Sequence, residues 1–471
     1  MKILMLTSES VPFSKTGGLA DVVNDLSSAL ANEKNDVRVL VPSYGSNKVG
    51  RLLTELEIPI LGNIEKLQIR QKKVGKVIYY LLCHPLFTER SGIYGDTSFT
   101  PYKDNFLRYT LLNLAPFALM DQLNYYPDII HCNDWATGLF PYFLYQNKQE
   151  RFKNIKTIFT IHNLAYQGIF PKMQFLQTLK PARKELFKDN QINMMQTGIA
   201  FADRITTVSP TYSQEIQTET YGEGMKDLLI ARSSRLSGIL NGIDTKIWNP
   251  KTDPFLSHNF DITDFSGKCL MKTQLQKKFN LEITDKKPLF VMITRLASQK
   301  GIEVLFQVLE EILVPDNLQL LIIGTGNKEY EDFLLKEDKL YKNLSVNIIF
   351  NNELAHQAEA AADFFLMPSL YEPCGLNQMF SARYGALVLA HSTGGLKDTV
   401  IDIHEQNDYG TGLLIDEVTP NKLVGMIQSA LRIYKSDKFN LYRKNAMSKD
   451  FSWNTSAKKY IKVYNETKGV R

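Results

Sequence analysis

Polar and glycine-rich clusters follow several of the apolar runs in this 471-residue chain. The segment Lys15–Gly18 (KTGG) places a cation directly before a glycine-rich helix start. Glycine lets backbone N–H groups approach a ligand closely, and a helix N-terminus favours anions. Thr16–Asp21 (TGGLAD) has an echo in Thr393–Asp398 (TGGLKD), and each copy follows a predicted strand. The pattern predicts a loop for a phosphate or a sugar hydroxyl in each half of the chain, although glycines at strand–helix turns are also ordinary.

Charged side chains lie at two strand ends in the second half. Arg295 and Lys300 follow the predicted strand Leu289–Thr294, at the edge where open α/β sheets bind ligands. A planar Arg fork and a Lys point charge suit a diphosphate, whereas a solvated loop with incidental charges is the alternative. Glu372 also follows a predicted strand and is held extended by the proline after it. A carboxylate that only complements a helix dipole would not need the adjacent Gly375, so a ligand role is favoured.

Two further polar clusters, His131–Trp135 and Thr160–Asn163, end two predicted strands of the first half. A lone histidine is more often structural than catalytic, but two such clusters favour a shared site. No grouped carboxylate accompanies His131 or His162, and Asp-x-Asp is absent from the sequence, so no metal site is expected. Neither a P-loop nor a dinucleotide fingerprint occurs, since Glu329 stands at the third glycine position of Gly324-Thr-Gly.

Composition excludes several classes of protein. The 55 Lys and Arg against 50 Asp and Glu give a net charge of +5, too mild for a dedicated nucleic-acid binder. The four cysteines are far apart, which argues against a disulfide framework or a zinc site. The N-terminal apolar run is too short for a signal peptide, and no apolar stretch approaches a membrane span of about 18 residues. We therefore expect a cytoplasmic protein without a membrane partner.

Short apolar runs alternate with helical periodicity along most of the chain, which predicts an α/β fold with parallel sheets. The alternation forms two series, so we expect two doubly wound, Rossmann-like domains. A segment dense in turn formers begins at Asn241 and marks the boundary. The predicted domains are residues 1–243, joined by a C-terminal helix at 453–471, and residues 244–452. The predicted strands are Ile3–Thr7, Val37–Pro42, Val77–Cys83, Ile129–Cys132, Thr157–Ile161, Leu289–Thr294, Leu318–Ile323, Val346–Phe350, Phe364–Met367 and Leu387–Ala390.

Taken together, the motifs resemble bacterial glycogen synthases and plant starch synthases. Single motifs such as TGGL are weak, but eight of them stand here in the family's order and spacing. They are Lys15–Asp21 (KTGGLAD), His131–Leu139 (HCNDWATGL), Thr160–Phe170 (TIHNLAYQGIF), Val208–Ile216 (VSPTYSQEI), Leu240–Asp244 (LNGID), Thr294–Gly301 (TRLASQKG), Tyr371–Gln378 (YEPCGLNQ) and Thr393–Val400 (TGGLKDTV).

The resemblance implies the glycosyltransferase-B fold, in which two Rossmann-like domains face each other across a cleft: an N-terminal glucan acceptor domain and a C-terminal nucleotide-sugar domain. It implies transfer of glucose from ADP-glucose to the non-reducing end of an α-1,4-glucan or glycogen, with retention and with no cofactor, metal or nucleic acid. By analogy the catalytic residues are Glu372 at the donor sugar, His162 at its reacting face, and Arg295 and Lys300 at the diphosphate. The residues implied to bind substrate are Lys15, Gly18, Asp21, Tyr94, Asp134, Asn163, Asn241, Phe350 (stacking on the base), Leu376, Asn377, Thr393 and Gly394.

The sequence departs from the family pattern at two positions. Many retaining relatives carry a second Glu eight positions after the first, where this chain has Phe380, so Glu372 must act alone. Gln196 stands where a Lys is expected, which leaves the choice between ADP-glucose and UDP-glucose open. Retention by same-face attack within an ion pair and retention through a covalent intermediate are both open. The competing functions are a pyridoxal-phosphate-dependent glycogen phosphorylase and a glucan-binding protein without activity.

Overall fold

The computed structural model describes residues 1–46, 49–60, 62–96, 100–179 and 186–469. The chain divides into two compact units, residues 1–242 with 453–471, and residues 243–452. No helix among the described residues is both long enough and apolar enough to cross a bilayer.

The first unit is built on a nine-stranded sheet in the order β12-β11-β7-β6-β1-β2-β5-β4-β3. Its strands are parallel except for the antiparallel pairs β3–β4 and β4–β5. A small antiparallel sheet, β8-β10-β9, accompanies it. The strands of this unit are β1 Lys2–Leu6, β2 Asp36–Pro42, β3 Arg51–Ile60, β4 Asn63–Val74, β5 Val77–Cys83, β6 Ile129–Asn133, β7 Lys156–Ile161, β8 Ile169–Pro171, β9 Phe187–Lys188, β10 Gln191–Asn193, β11 Arg204–Thr207 and β12 Leu236–Gly238. Its helices are α1 Gly18–Asn32, α2 Pro85–Thr88, α3 Asn105–Leu123, α4 Phe140–Gln146, α5 Lys172–Thr178, α6 Met194–Phe201, α7 Pro210–Glu215 and α8 Lys226–Ala231.

The second unit is built on a six-stranded parallel sheet in the order β15-β14-β13-β16-β17-β18. Its strands are β13 Leu289–Ile293, β14 Gln319–Ile323, β15 Leu344–Asn347, β16 Phe364–Met367, β17 Leu387–His391 and β18 Gly412–Ile415. Its helices are α9 Ser266–Lys278, α10 Ile302–Leu313, α11 Lys328–Glu337, α12 Asn352–Ala361, α13 Asn377–Arg383, α14 Gly394–Thr399, α15 Ile403–Gln406, α16 Pro420–Tyr434 and α17 Phe439–Met447.

Both faces of the second sheet are buried, which explains its nearly continuous apolar strands. Phe290 and Met292 of β13 belong to a core that also contains α10 and α16. Leu289 and Val291, which alternate with them, belong to a second core with α9 and α12. This alternation confirms the predicted doubly wound α/β class.

The final helix, α18 (Trp453–Gly469), returns to the first unit. Its aromatic residues Trp453, Tyr460 and Tyr464 share a core with α1 and β1. The Trp453 indole donates to Asp25 of α1 at 3.2 Å, and Lys468 pairs with Asp128 at 2.7 Å. Buried aromatic rings and polar contacts at both ends therefore hold the helix in place.

Candidate active site

The order of strands explains where the polar clusters of the first unit meet. After β1 the chain continues to β2 on one side, and later to β6 and β7 on the other. The paired strands β1 and β6 therefore mark a topological switch point, where the loops after the two strands diverge and leave room for a ligand. The loops that follow β1, β6 and β7 carry Lys15, Asp134 and His162, respectively.

Glu9, which the sequence analysis missed, organises the loop after β1. It is only 2% exposed, and it accepts hydrogen bonds from both the backbone N–H and the hydroxyl of Thr16. The backbone N–H of Gly17 also faces it, and burial raises the pKa of its carboxyl group. The chain's own carboxylate thus occupies the anion site that we expected at the start of α1. Its position just after a buried strand was the available signal.

The remaining predicted residues of this loop are more exposed. Lys15 forms an ion pair with Asp21 of α1, with 2.8 Å between Nζ and Oδ2. Gly18 is the first residue of α1. A Cβ on the preceding Gly17 would meet no atom within 4 Å, so this glycine leaves open space beside the helix start.

Tyr94 reaches the same loop from the segment between α2 and α3. Its hydroxyl lies 2.7 Å from Ser8 Oγ and 3.4 Å from the carboxylate of Glu9. Burial raises the pKa of Tyr94 well above its usual value, so the hydroxyl stays protonated. The buried Arg108 of α3 donates to the carbonyl of Ile93 and thereby holds the residue before Tyr94 in place.

Asp134, His162 and Asn163 form one hydrogen-bonded group. Asp134 Oδ1 accepts the backbone N–H of His162 at 2.8 Å and that of Asn163 at 3.4 Å. Burial raises the pKa of Asp134 to about 7 and lowers the pKa of His162 to about 3. Asp134 has φ +55° and ψ −179°, a combination of backbone angles that residues other than glycine rarely adopt. Such strained residues tend to occur at functional sites.

His131 does not belong to this group. Its ring is fully buried, and its two nitrogens lie 2.7 Å from Tyr464 of α18 and 2.5 Å from Thr160 Oγ1. It is a core histidine, and the two polar clusters that were expected to share a site meet through Asp134 and His162. Asn241, which follows β12, is 6% exposed, and its Oδ1 has no hydrogen-bond partner among the described residues.

The second unit has its own switch point, between β13 and β16. Lys300 follows β13 and Glu372 follows β16, and their side chains form an ion pair with 2.5 Å between Nζ and Oε2. The hydroxyl of Ser369 donates to the same carboxylate oxygen at 3.1 Å. The two strand ends therefore bring together a cation and a carboxylate that lie 72 positions apart in the sequence.

The loops that carry this pair are tied to each other. Gln299 accepts from the backbone N–H of Leu370 and donates through its side chain to the carbonyl of Tyr371. Gly301 has φ +70°, and a Cβ there would lie 2.0 Å from the carbonyl oxygen of Pro368, so only glycine fits. Arg295, in contrast, is exposed and makes no hydrogen bond or ion pair with any residue that the structure describes.

The glycine pair of the Thr393–Asp398 echo packs against the backbone of the Glu372 loop. Gly394 has φ +43°, and a Cβ there would lie 2.0 Å from the carbonyl oxygen of Glu372. The N–H of Gly395 donates to that same oxygen at 3.1 Å. We expected these N–H groups to face a ligand; instead, that of Gly395 holds the backbone at Glu372. The preceding Thr393 is buried at the N-terminus of α14.

The last predicted residues lie around α13 and after β15. Leu376 precedes α13, and the side-chain amide of Asn377 donates to the carbonyl of Ile293 at the end of β13. Phe350 was predicted to end a strand, but β15 ends at Asn347, and Phe350 is 85% exposed in the following loop. An exposed ring remains accessible to a stacking partner.

Phe380, where many retaining enzymes carry a second Glu, has a packing role. Its ring stacks on Trp248 with 3.7 Å between centroids and 12° between planes. The other face of Trp248 stacks on His356 at 3.8 Å. Among the described residues, no group of three or more His, Cys, Asp or Glu side chains could hold a metal ion.

Two family models match the sequence. The starch synthase catalytic domain model matches residues 2–231, and the glycosyl transferases group 1 model matches residues 273–446.

Individual relatives match over nearly the whole chain. The glycogen synthase of Clostridium beijerinckii is 38% identical over 494 residues, covering 100% of both chains. The glycogen synthase of Treponema denticola is 39% identical, covering 98% of both. Among solved structures, the catalytic domain of starch synthase IV from Arabidopsis thaliana, bound to ADP and acarbose, is similar with a TM-score of 0.90, 30% identity and 99% coverage of both chains. Sucrose-phosphate synthase from Thermosynechococcus elongatus, at 19% identity and a TM-score of 0.64, is similar in fold.

Proposed function

Because the chain belongs to the family of bacterial glycogen synthases and plant starch synthases, we propose how its own side chains perform that family's reaction. The protein is a glycosyltransferase of the glycosyltransferase-B fold that uses a nucleotide sugar to extend a glucan. The reaction transfers glucose to the non-reducing end of an α-1,4-glucan. We propose ADP-glucose as the donor, since the similar starch synthase IV was solved with ADP bound. We also propose that the protein acts in the cytoplasm.

The observation that carries the mechanism is the ion pair between Lys300 and Glu372. The leaving group is a nucleoside diphosphate, so negative charge develops on phosphate oxygens as the glycosidic bond breaks. Cations placed in advance stabilise such a charge without a strong acid. We propose that Arg295, which is exposed and has no described partner, engages the diphosphate first and that Lys300 then joins it.

Transfer of Lys300 to the phosphates would release Glu372 for the sugar. A carboxylate in a poorly solvated position stabilises the positive charge of an oxocarbenium-like transition state. Since Phe380 replaces a second carboxylate, we propose that Glu372 provides this stabilisation alone. Retention then follows either from same-face attack within the ion pair or from a short-lived covalent intermediate.

The first unit would serve the same reaction through its own switch point. We propose that His162 lies at the reacting face of the donor glucose and that Lys15 contacts the donor. The proposed donor and acceptor contacts of this unit are Gly18, Asp21, Tyr94, Asp134, Asn163 and Asn241. Those of the second unit are Phe350 on the base, and Leu376, Asn377, Thr393 and Gly394 around the phosphates and sugar.

The test is transfer of labelled glucose from ADP-glucose or UDP-glucose to a malto-oligosaccharide, with and without added pyridoxal phosphate and inorganic phosphate. We expect glucose incorporation from ADP-glucose in α-1,4 linkage, with less incorporation from UDP-glucose. Glucan phosphorolysis that depends on pyridoxal phosphate would instead identify a phosphorylase. Glucan binding without turnover of either donor would identify a binding protein.

A further inference from the structure

We infer that Asn133 is a positioning residue that places the ring proton of His162 on Nε2 and so leaves Nδ1 as a hydrogen-bond acceptor. The functional consequence rests on the role proposed above for His162. The hydrogen on Nε2 follows from hydrogen-bond geometry, and the neutral state of the ring follows from its burial.

Asn133 is the last residue of β6 and lies at the switch point between β1 and β6. Its side chain is 1% exposed. Its Nδ2 lies 3.0 Å from the carbonyl oxygen of Leu6 and 3.2 Å from that of His131. Carbonyl oxygens only accept hydrogen bonds, so the NH₂ group must lie on that side of the amide. The reversed amide would place an oxygen against two oxygens.

The orientation of the amide decides the state of the imidazole. Oδ1 of Asn133 lies 2.9 Å from His162 Nε2, and an amide oxygen can only accept. Nε2 must therefore carry a hydrogen. Burial lowers the pKa of His162 to about 3, so the ring is neutral at pH 7 and Nδ1 carries none. Nδ1 makes no hydrogen bond to any described residue.

A second hydrogen bond holds the backbone of His162. The backbone N–H of His162 donates to Asp134 Oδ1 at 2.8 Å, so Asn133 and Asp134, two consecutive residues at the end of β6, hold the ring and the backbone. A hydrogen bond at one ring nitrogen sets the tautomer available at the other. With this tautomer, Nδ1 can accept a hydrogen bond from a sugar hydroxyl but has no proton to donate. Such a histidine orients a sugar and is not a general acid, which suits a diphosphate leaving group.

A role in tautomer selection can be separated from a role in packing. Asn113 offers a matched control because it is also fully buried in the first unit. Its amide donates to the carbonyls of Tyr109 and Ala136, and its Oδ1 accepts from the backbone N–H of Phe140. The side chain of Asn113 thus makes three hydrogen bonds, as that of Asn133 does, and none of the three involves a histidine. Asn133→Leu and Asn113→Leu each replace three buried hydrogen bonds with an apolar side chain, but only the first removes the acceptor for His162.

The experiment is nitrogen-15 NMR of the full chain labelled at histidine, with the His162 ring signals assigned from their absence in His162→Gln. We expect a neutral ring protonated on Nε2 in the wild type and in Asn113→Leu. Asn133→Leu should show protonation on Nδ1 for a substantial fraction of the protein, and kcat at saturating donor should fall by about tenfold to a hundredfold. Asn133→Asp, which keeps an acceptor oxygen, should keep the proton on Nε2 and provides the test if the leucine variant does not fold.

The outcomes separate this inference from the proposed function. A wild-type ring protonated on Nδ1, an unchanged tautomer in Asn133→Leu, or loss of the Nε2 proton in Asn133→Asp would overturn the inference, whatever the activity. The expected change of tautomer with an unchanged kcat would support the assignment to Asn133 and contradict the role proposed for His162.

Discussion

Lys300 and Lys15 each pair with a carboxylate, but the two pairs differ in burial. The side chains of Lys300 and Glu372 are 16% and 9% exposed, whereas those of Lys15 and Asp21 are 43% and 32% exposed. Removing one partner of a buried pair leaves an unpaired charge and costs about 3–5 kcal/mol. An exposed pair contributes about 0–1 kcal/mol. Lys300→Met should therefore destabilise the protein far more than Lys15→Met.

The size of the destabilisation in Lys300→Met depends on the hydrogen bonds that the Glu372 carboxylate retains. Its carboxylate retains the hydrogen bond from Ser369 at 3.1 Å, so we expect the lower end of the range, about 3 kcal/mol. For units of about 150–250 residues, such as residues 243–452, 1 kcal/mol shifts the Tm by about 2–4 °C. The unfolding transition of the second unit should fall by about 6–12 °C in Lys300→Met. Lys15→Met should lower the Tm by less than about 4 °C.

The assay is differential scanning calorimetry of the full chain at pH 7 without ligand. The double variant Lys300→Met, Glu372→Gln removes both charges and should recover most of the lost stability, because the cost comes from the unpaired carboxylate. Its activity should stay lost, since the proposed catalytic groups are gone. Equal shifts for Lys300→Met and Lys15→Met, or no recovery in the double variant, would refute the assignment of Lys300 and Glu372 as a buried, mutually dependent pair.

Three further predictions concern the glycines, a buried histidine and the phosphate cations. Gly394→Ala should lower the Tm and reduce kcat at least tenfold, because its Cβ would collide with the carbonyl of Glu372. The control is Gly17→Ala, which has open space and ordinary backbone angles and should keep the Tm within about 2 °C of the wild type. Burial lowers the pKa of His131 to about 3, so the unfolded chain binds a proton that the folded chain does not as the pH falls from 6.5 to 3. Urea titrations should therefore show that the free energy of unfolding of the wild type falls as the pH is lowered from 6 to 4. In His131→Gln this slope should be smaller by up to about 1.4 kcal/mol per pH unit. Parallel curves for the wild type and the variant would contradict this prediction. Because Arg295 and Lys300 supply the positive charge at the diphosphate, glucose transfer should continue in excess EDTA. An activity that is lost with EDTA and restored by Mg²⁺ would contradict the proposal that these side chains take the place of a metal ion.

Much of the second unit could be predicted because its strands are buried on both faces. The predicted strand Phe364–Met367 matches β16 at both ends. In the first unit, the hairpin β3–β4 was missed. Only one face of β3 is well buried, at Leu56, Ile58 and Ile60, and the residues that alternate with them, Glu55, Glu57 and Pro59, are exposed. A strand of this kind at the edge of a sheet lacks the continuous apolar run that marks the central strands.

The candidate site was predictable where chemistry and sheet position coincide. Lys300 and Glu372 were chosen as charged residues after parallel strands, and the structure brings them together. Glu9 was missed because its position after a buried strand does not reveal that the carboxylate folds back onto Thr16, seven positions later. His131 looked similar to His162 in sequence, since each stands at a strand end. The difference arises from α18, whose Tyr464 lies more than 300 positions away in the chain.

The central claim is that Glu372 stabilises the transition state without a second carboxylate. The most direct measurement is kcat of Glu372→Gln at saturating ADP-glucose and malto-oligosaccharide, with folding checked by calorimetry and ADP affinity by titration calorimetry. We predict a kcat lower by about 10²–10⁴ with ADP affinity within tenfold of the wild type, since Arg295 and Lys300 remain to hold the phosphates. A folded variant that keeps more than half of the wild-type kcat would contradict the claim.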